Sequence, residues 1–265
     1  MSPREIAARA LGIDSAAVLS VDAIKHGLTN ESWLVRTATD AVVVRISNRH
    51  WASLQIDRMA ESIVLGAVGP VGIGPQVVAS DLSRGVLVTR YLGATCTEAE
   101  MTDPELIQHL GATFDALHRL PLPQDVHEVH LPSVIAGYLD TLDTLTRKSS
   151  LADTDVRERG MMLASEIADS LTPRLCHNDV HYLNVVPCEP LRFIDWEYAG
   201  IGEAYFDLAS VCVYHDYSLQ QRSLLLNAYG GSASGAQMER LAKCCWLFEY
   251  VRDLWTEVRG AIDKE

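Results

Sequence analysis

The chain contains the segment Leu175-Cys-His-Asn-Asp-Val-His-Tyr-Leu-Asn-Val-Val186, followed by Leu191-Arg-Phe-Ile-Asp-Trp-Glu-Tyr-Ala-Gly200. The apolar residues on either side of Pro187-Cys-Glu-Pro190 are typical of two short strands joined by a tight turn. A hairpin of this kind brings Asn184 and Asp195 close together at one of its ends.

The polar residues of these segments follow the pattern H-x-D-x-x-x-x-N, from His177 through Asp179 to Asn184, and Asp195 lies beyond them. Kinase-type phosphoryl transfer needs such a set, because one Asp accepts the proton of the attacking hydroxyl while an Asn and a second Asp hold Mg²⁺. The pattern therefore predicts Asp179 as the catalytic residue and Asn184 and Asp195 as metal ligands.

Length and composition restrict the class of protein. With 265 residues, the chain is long enough for one large domain or two lobes. A net charge of −13 argues against nucleic acid as the partner. The sequence has no secretory signal and no run of about 18 apolar residues, so we expect no membrane association. The six cysteines form no C-x-x-C pair, which favours reduced thiols and a cytoplasmic location.

The first third of the chain is typical of an antiparallel sheet with a short helix before it and one helix within it. Helical patterns cover residues 3–11 and 56–65. The strand-like segments are 18–24, 32–37, 41–46, 76–79 and 85–91.

Polar residues near the first strands are candidates for nucleotide binding. The loop at 26–32 can place backbone N–H groups and the hydroxyls of Thr29 and Ser32 over phosphates, although an ordinary hairpin loop fits equally well. Asn30 lies in the same loop. Residues 89–93 have the pattern of a lobe junction, where Arg90 and Leu92 are further candidates and the backbone can hydrogen-bond to adenine.

Arg45 is the one cation in the apolar segment at 41–46. In kinases, the third strand carries a Lys that binds the α- and β-phosphates and pairs with a helix Glu. Arg can do this as a bidentate ligand, and Glu61 on the following helix is within reach of it. The alternative is an outward Arg45 on a half-exposed strand and a solvated Glu61.

The remainder of the sequence is mainly helical. Helical patterns cover 103–118, 132–146, 154–171, a segment starting at 206, and 237–262. Asp207 can cap its helix or bind the backbone of the catalytic loop. On the last helix, Trp246 and Tyr250 lie on one face, which can bind a cation by cation–π contact or can equally be part of the core.

Three motifs together resemble the aminoglycoside phosphotransferase/choline kinase superfamily. They are Cys176-His-Asn-Asp-Val-His-Tyr-Leu-Asn184, Phe193-Ile-Asp-Trp-Glu-Tyr-Ala-Gly200 and Phe206-Asp-Leu-Ala209. With Gly27-Leu-Thr-Asn30, they are most similar to the bacterial choline/ethanolamine kinase branch, and the central motifs also resemble thiamine kinase. The loop at Gly27 is not a protein-kinase glycine loop and no A-P-E segment follows Gly200, so protein kinase activity is disfavoured.

The resemblance implies an α+β, protein-kinase-like fold with two lobes. An antiparallel sheet and one helix would form the amino-terminal nucleotide-binding lobe (1–92), and a mainly helical lobe (93–265) would carry the site. It implies ATP and Mg²⁺ as cofactors, Asp179 as the base, and His177 and Asp207 as structural supports. By position, it also makes candidate substrate-binding residues of Glu197, Tyr214, Trp246 and Tyr250.

The sequence thus predicts an ATP-dependent kinase of a small, cationic alcohol, with choline or ethanolamine first and thiamine close behind. An antibiotic phosphotransferase of the same superfamily is one alternative, and a nucleotide-binding pseudokinase is another. The expected partner is the small-molecule alcohol, and a homodimer is a further possibility.

Overall fold

The structure is a computed structural model that describes residues 1–25, 30–47, 54–145 and 149–262. Thr29 and most of the predicted phosphate loop lie outside the described residues. The strands are β1 (Ser20–Ile24), β2 (Asn30–Arg36), β3 (Ala41–Ser47), β4 (Val77–Asp81), β5 (Val86–Arg90), β6 (Arg174–Cys176), β7 (Val185–Val186), β8 (Arg192–Phe193) and β9 (Gly200–Gly202). The helices are α1 (Pro3–Leu11), α2 (Arg58–Val68), α3 (Pro104–His118), α4 (Leu131–Thr144), α5 (Thr154–Asp169), α6 (Ala204–Tyr214), α7 (Leu219–Gly230) and α8 (Gly235–Ile262).

An antiparallel sheet with the strand order β1-β2-β3-β5-β4 forms the amino-terminal part of the fold. The predicted sheet and mainly helical remainder are confirmed, and the strand ends differ from the prediction by only a few residues. The division of the chain between residues 92 and 93 stays a prediction.

The two faces of the sheet have different surroundings. Val42, Val44 and Val88 pack under α1 in a small apolar core. Arg45 lies opposite Leu87 in the register of β3 and β5, and Leu87 packs against the larger core of the helical region. Since neighbouring residues of a strand point to opposite faces, Arg45 faces the cleft between the sheet and the helices.

Helix α2 follows the sheet in sequence but packs mostly against the helical region. Its buried apolar residues Ala60, Val64, Leu65 and Val68 all belong to the larger core. The helix begins after Asp57, whose carboxylate accepts hydrogen bonds from two backbone N–H groups of the first turn. The helix therefore lies at the boundary between the two parts, where it presents Glu61 to the sheet.

The structure adds α7 to the predicted helices. Its sequence signal is the capping box formed by Ser218 and Gln221, an S-x-x-Q pattern at a helix start. α7 packs closely against α3 at Gly111, where an added Cβ would lie 2.6 Å from the Cβ of Ala228 and 2.8 Å from the carbonyl oxygen of Leu225. No helix in the described part of the chain is both long enough and apolar enough to cross a bilayer.

Replacing Gly111 with Ala should destabilise the fold, because the methyl group would collide with the backbone of α7. We expect the free energy of unfolding to fall by about 1–3 kcal/mol, as is typical of overpacking. Gly66→Ala is the matched control, since Gly66 is an exposed residue of α2 with nothing within 4 Å of an added Cβ. There, the free energy of unfolding should rise by about 0.5–1 kcal/mol. Denaturant titrations measure both, and equal effects would contradict the close α3–α7 packing.

Candidate active site

The loop at residues 177–184, which is the predicted catalytic loop, follows β6 and is fixed by Asp207 of α6. This fully buried carboxylate accepts the backbone N–H groups of His177 at 3.0 Å and of Asn178 at 2.5 Å. It also lies 2.9 Å from Nε2 of His118 on α3. Charge-assisted bonds of this kind are stronger than neutral ones, so the start of the loop has one fixed position.

His177 and Asn178 connect the loop to the segment that carries Asp195. The ring of His177 bonds through Nε2 to the carbonyl oxygen of Ile194 at 2.9 Å. The side chain of Asn178 donates to the carbonyl oxygen of Tyr198 at 2.9 Å. Asn178 and Asp195 both have a positive φ, 67° and 63°, a backbone conformation that non-glycine residues adopt mainly where surrounding contacts enforce it.

Asp179 lies at the tip of this loop with its carboxylate in the cleft. Oδ1 accepts a hydrogen bond of 2.8 Å from the hydroxyl of Tyr214, and Oδ2 lies 3.9 Å from Nε2 of His181. Burial raises the pKa of Asp179 to about 6, although the hydrogen bond from Tyr214 acts in the opposite direction. Below that pH the group is protonated, and above it the group is a carboxylate that can accept a proton.

Asn184 and Asp195 lie beside Asp179. The amide nitrogen of Asn184 donates to the carbonyl oxygen of Asp179 at 2.8 Å, so the amide oxygen is directed elsewhere. A carboxylate oxygen of Asp195 lies 3.4 Å from Arg45. Burial and the negative charge of Glu197 together raise the pKa of Asp195 to about 8, although Arg45 acts in the opposite direction.

Arg45 and Glu61 form the ion pair that the sequence predicted. Two hydrogen bonds of 2.6 and 2.5 Å join them in bidentate geometry, and both side chains are buried. Burial alone would raise the pKa of Glu61, but the Arg45 guanidinium holds it below its usual value. Ser32 lies opposite Arg45 in the register of β2 and β3, so it faces the same side of the sheet.

Arg90 lies on the other side of the sheet. In the register it is opposite Val42, which is buried under α1, and its guanidinium pairs with Asp40. Because alternate residues of a strand share a face, the Arg90 side chain points away from the cleft that Arg45 faces. A nucleotide contact through the backbone of this segment stays a prediction. Leu92 is half-buried at the strand exit, where its backbone keeps the predicted junction position.

A cavity of about 440 Å³ opens beside Asp179. Its walls combine aromatic rings with ionisable groups. The aromatic residues are Tyr138, Tyr198, Phe206, Tyr214, Phe248 and Trp255. The acidic residues are Asp57, Glu128, Asp179 and Glu197, and the basic or imidazole side chains are Arg252, His127 and His130.

Two of the four candidate substrate residues line this cavity and two do not. Glu197 and Tyr214 are in its wall. Trp246 and Tyr250 stack with their ring centroids 5.5 Å apart, and the guanidinium carbon of Arg159 lies 4.3 Å from the centroid of the Trp246 ring. The Tyr250 hydroxyl donates to the backbone carbonyl oxygen of Leu151. At 3.6 residues per turn, α8 turns this pair toward α5, which agrees with the core alternative, and turns a different set of its residues toward the cavity. The cavity-facing residues of α8 are Phe248, Val251, Arg252 and Trp255.

Arg58 is part of the site although no motif above includes it. It is buried, and it donates to Glu61 at 2.9 Å and to Glu197 at 3.0 Å. The available signal was its spacing, because a residue three positions before Glu61 on a helix shares its face. Its second acidic partner, Glu197, is distant in sequence, so no local pattern indicates that contact.

Replacing Tyr214 with Phe should raise the pKa of Asp179 above its value of about 6, because the hydroxyl bond that stabilises the carboxylate is lost. The measurement is the ¹³C chemical shift of the Asp179 carboxyl group as a function of pH. Tyr198→Phe is the control, since Tyr198 lines the same cavity but its hydroxyl is bonded to Trp255. An unchanged midpoint in the Tyr214 variant would contradict the hydrogen bond.

Comparison with known proteins places this geometry in context. The model of the phosphotransferase enzyme family matches residues 20–244. Protein LicA of Haemophilus influenzae is 27% identical over 210 residues, which cover 77% of this chain and 60% of that protein. The match thus spans little more than half of the length of this relative.

Solved structures are similar over nearly the whole chain. Choline kinase LicA from Streptococcus pneumoniae superposes with a TM-score of 0.80 at 21% identity, covering 99% of this chain and 90% of that one. A choline/ethanolamine kinase family protein from Mesorhizobium loti gives 0.78 at 25% identity, covering 99% and 88%. The predicted protein-kinase-like fold is therefore confirmed.

Proposed function

Because the chain belongs to the phosphotransferase enzyme family, we propose that it transfers the γ-phosphoryl group of ATP to the hydroxyl of a small, cationic alcohol. Choline or ethanolamine is the first candidate and thiamine the second. The observation that carries the proposal is the cavity of about 440 Å³ in which Asp179 meets both aromatic rings and acidic side chains.

The walls of the cavity are suited to an ammonium group. Aromatic faces attract cations through their quadrupole, and carboxylates add charge attraction. The ring centroids of Tyr214 and Phe248 lie 5.4 Å apart in an edge-on contact, and those of Phe248 and Phe206 lie 5.1 Å apart. The aromatic wall is therefore continuous. The relatives named above include choline and choline/ethanolamine kinases, which agrees with this choice of acceptor.

Asp179 is proposed as the residue that accepts the proton of the attacking hydroxyl. Its Oδ1 is bonded to Tyr214, so the acceptor hydroxyl would approach through Oδ2. With a pKa of about 6, the group is a carboxylate at neutral pH and still basic enough to take a proton. In-line attack then needs the γ-phosphoryl group on the far side of the hydroxyl, toward Arg45 and the sheet.

Asn184 and Asp195 fit a magnesium ion. Carboxylate and amide oxygens are the ligands that Mg²⁺ prefers. The amide nitrogen of Asn184 donates to the carbonyl oxygen of Asp179, so the amide oxygen of Asn184 is directed away from that bond. Burial and the negative charge of Glu197 raise the pKa of Asp195, and a bound cation would favour its carboxylate form. When bound, magnesium would neutralise charge on the transferred phosphoryl group.

The cleft face of the sheet is proposed as the nucleotide side. Arg45 is held by Glu61 in a fixed bidentate orientation, which suits phosphate oxygens. Ser32 lies beside it in the register of the sheet. The proximity of Asp179, Asn184 and Asp195 favours an active enzyme over a nucleotide-binding pseudokinase.

The proposed reaction can be tested with MgATP and a panel of alcohols, scored by product mass. The panel should contain choline, ethanolamine, thiamine, a neutral alcohol such as glycerol, and an aminoglycoside. We expect phosphorylation of a small cationic member and a decrease in kcat of about 10²- to 10⁴-fold in Asp179→Asn, because the proton acceptor is lost. Asp103→Asn, at the cap of α3, should leave kcat unchanged. Turnover of the aminoglycoside or of glycerol alone would contradict the proposed substrate class.

The two tryptophans of α8 give a direct test of cation binding. Trp255→Leu removes an aromatic face from the cavity, and KM for the cationic alcohol should rise by about 2- to 30-fold, the range that cation–π contacts supply. Trp246→Leu is the matched control, because Trp246 packs against Tyr250 and Arg159 instead. A larger effect at Trp246 than at Trp255 would contradict the position of the pocket.

A further inference from the structure

Arg58 is a buried guanidinium that joins three separate parts of the fold. It is only 8% exposed at the start of α2. One of its terminal nitrogens donates to Glu61 at 2.9 Å and to Glu197 at 3.0 Å, and the other donates to Asn30 at 2.7 Å. Asn30 belongs to the sheet, Glu61 to α2, and Glu197 to the segment that follows Asp195.

The contacts of Arg58 form a closed triangle across the cleft. The amide nitrogen of Asn30 donates to Glu197 at 2.8 Å, to the same oxygen that binds Arg58. Arg58, Asn30 and Glu197 are therefore each hydrogen-bonded to the other two. A triangle fixes the distance and the orientation of its corners, whereas a single bond would leave rotation free.

A second path connects the same parts through Arg45. Arg45 binds Glu61 and lies 3.4 Å from Asp195, while Arg58 binds Glu61 and Glu197. The segment of Asp195 is thus tied to the sheet at two points, two residues apart. Removing Arg58 would leave the Asn30–Glu197 hydrogen bond and the longer contact between Arg45 and Asp195. The bonds that α2 makes through Arg58 to Asn30 and Glu197 would be lost.

Stability alone does not account for this arrangement. Buried ion networks are weak evidence for stability, because the cost of removing charges from water can exceed their attraction, and apolar replacements are often as stable. The Nε atom of Arg58 is also buried without a hydrogen-bond partner among the described atoms, which adds to that cost. What the network does provide is a fixed separation between the sheet and the loop segment.

We propose that Arg58 is a positioning residue for phosphoryl transfer. By holding Asn30, Glu61 and Glu197 together, it keeps the nucleotide face of the sheet in a fixed position relative to Asp195 and to the acceptor beside Asp179. The inference rests on the proposed function. In the proposed site, Arg58 contacts neither the acceptor hydroxyl nor the phosphates.

The test uses four variants of the full chain: Arg58→Met, Glu197→Gln, the double variant that combines them, and Arg58→Lys. Misplacement of reacting groups by about 1 Å can cost roughly 100-fold in rate, so we expect kcat of Arg58→Met to fall by about that factor. KM for the alcohol should change much less. Arg58→Lys keeps the charge but loses the planar guanidinium that bonds several partners at once, so its kcat should be intermediate. Arg36→Met, which removes an exposed ion pair with Asp22, is the control and should behave as wild type.

The double variant separates positioning from charge balance. Arg58→Met alone leaves buried carboxylates under-compensated and should lower the unfolding midpoint, whereas the double variant removes one charge of each sign and should recover it. We expect kcat to stay low in the double variant and no lower than in Arg58→Met alone, because both changes break the same triangle.

Two outcomes would overturn the inference: recovery of kcat together with stability in the double variant, or near-normal kcat in Arg58→Met. If Arg58→Met does not fold, the double variant and Arg58→Lys carry the comparison. A wild-type protein without turnover on any alcohol would contradict the proposed function instead, so the two failures are distinguishable.

Discussion

The buried carboxylate of Asp207 is the contact on which the candidate site depends most. It accepts two backbone N–H groups at the start of the catalytic loop and lies against His118 of α3, in surroundings that exclude water. A loop carries no hydrogen-bond ladder of its own, so its geometry must come from outside. Here one buried side chain from a helix supplies it, because it accepts both backbone N–H groups.

The same helix also controls the chemistry of the loop. Asp207 and Tyr214 are seven residues apart, about two turns, so they lie on one face of α6. Asp207 holds the loop backbone, and Tyr214 donates to the carboxylate of Asp179 at its tip. One rigid element therefore helps to position Asp179 and also moderates the rise in its pKa that burial causes. A change in the packing of α6 would move both.

On the other side of the cleft, ion pairs between side chains connect the segments of the site. Arg45 and Arg58 stand among Glu61, Asp195 and Glu197, and their hydrogen bonds connect the sheet, α2 and the segment after β8. The described carboxylates outnumber the described guanidinium groups in this network.

Features that depend on local spacing can be predicted from the sequence. The hairpin motif places Asn184 and Asp195 within a few residues of a tight turn, with Asp179 on the preceding loop, and alternation of apolar residues predicts the strands of the sheet. Contacts between distant segments set which face of α8 lines the cavity, turn Arg90 away from Arg45 and bring Arg58 to Glu197. The physical reason is that periodicity shows which residues share a face, whereas the partner of that face is chosen by packing between distant segments.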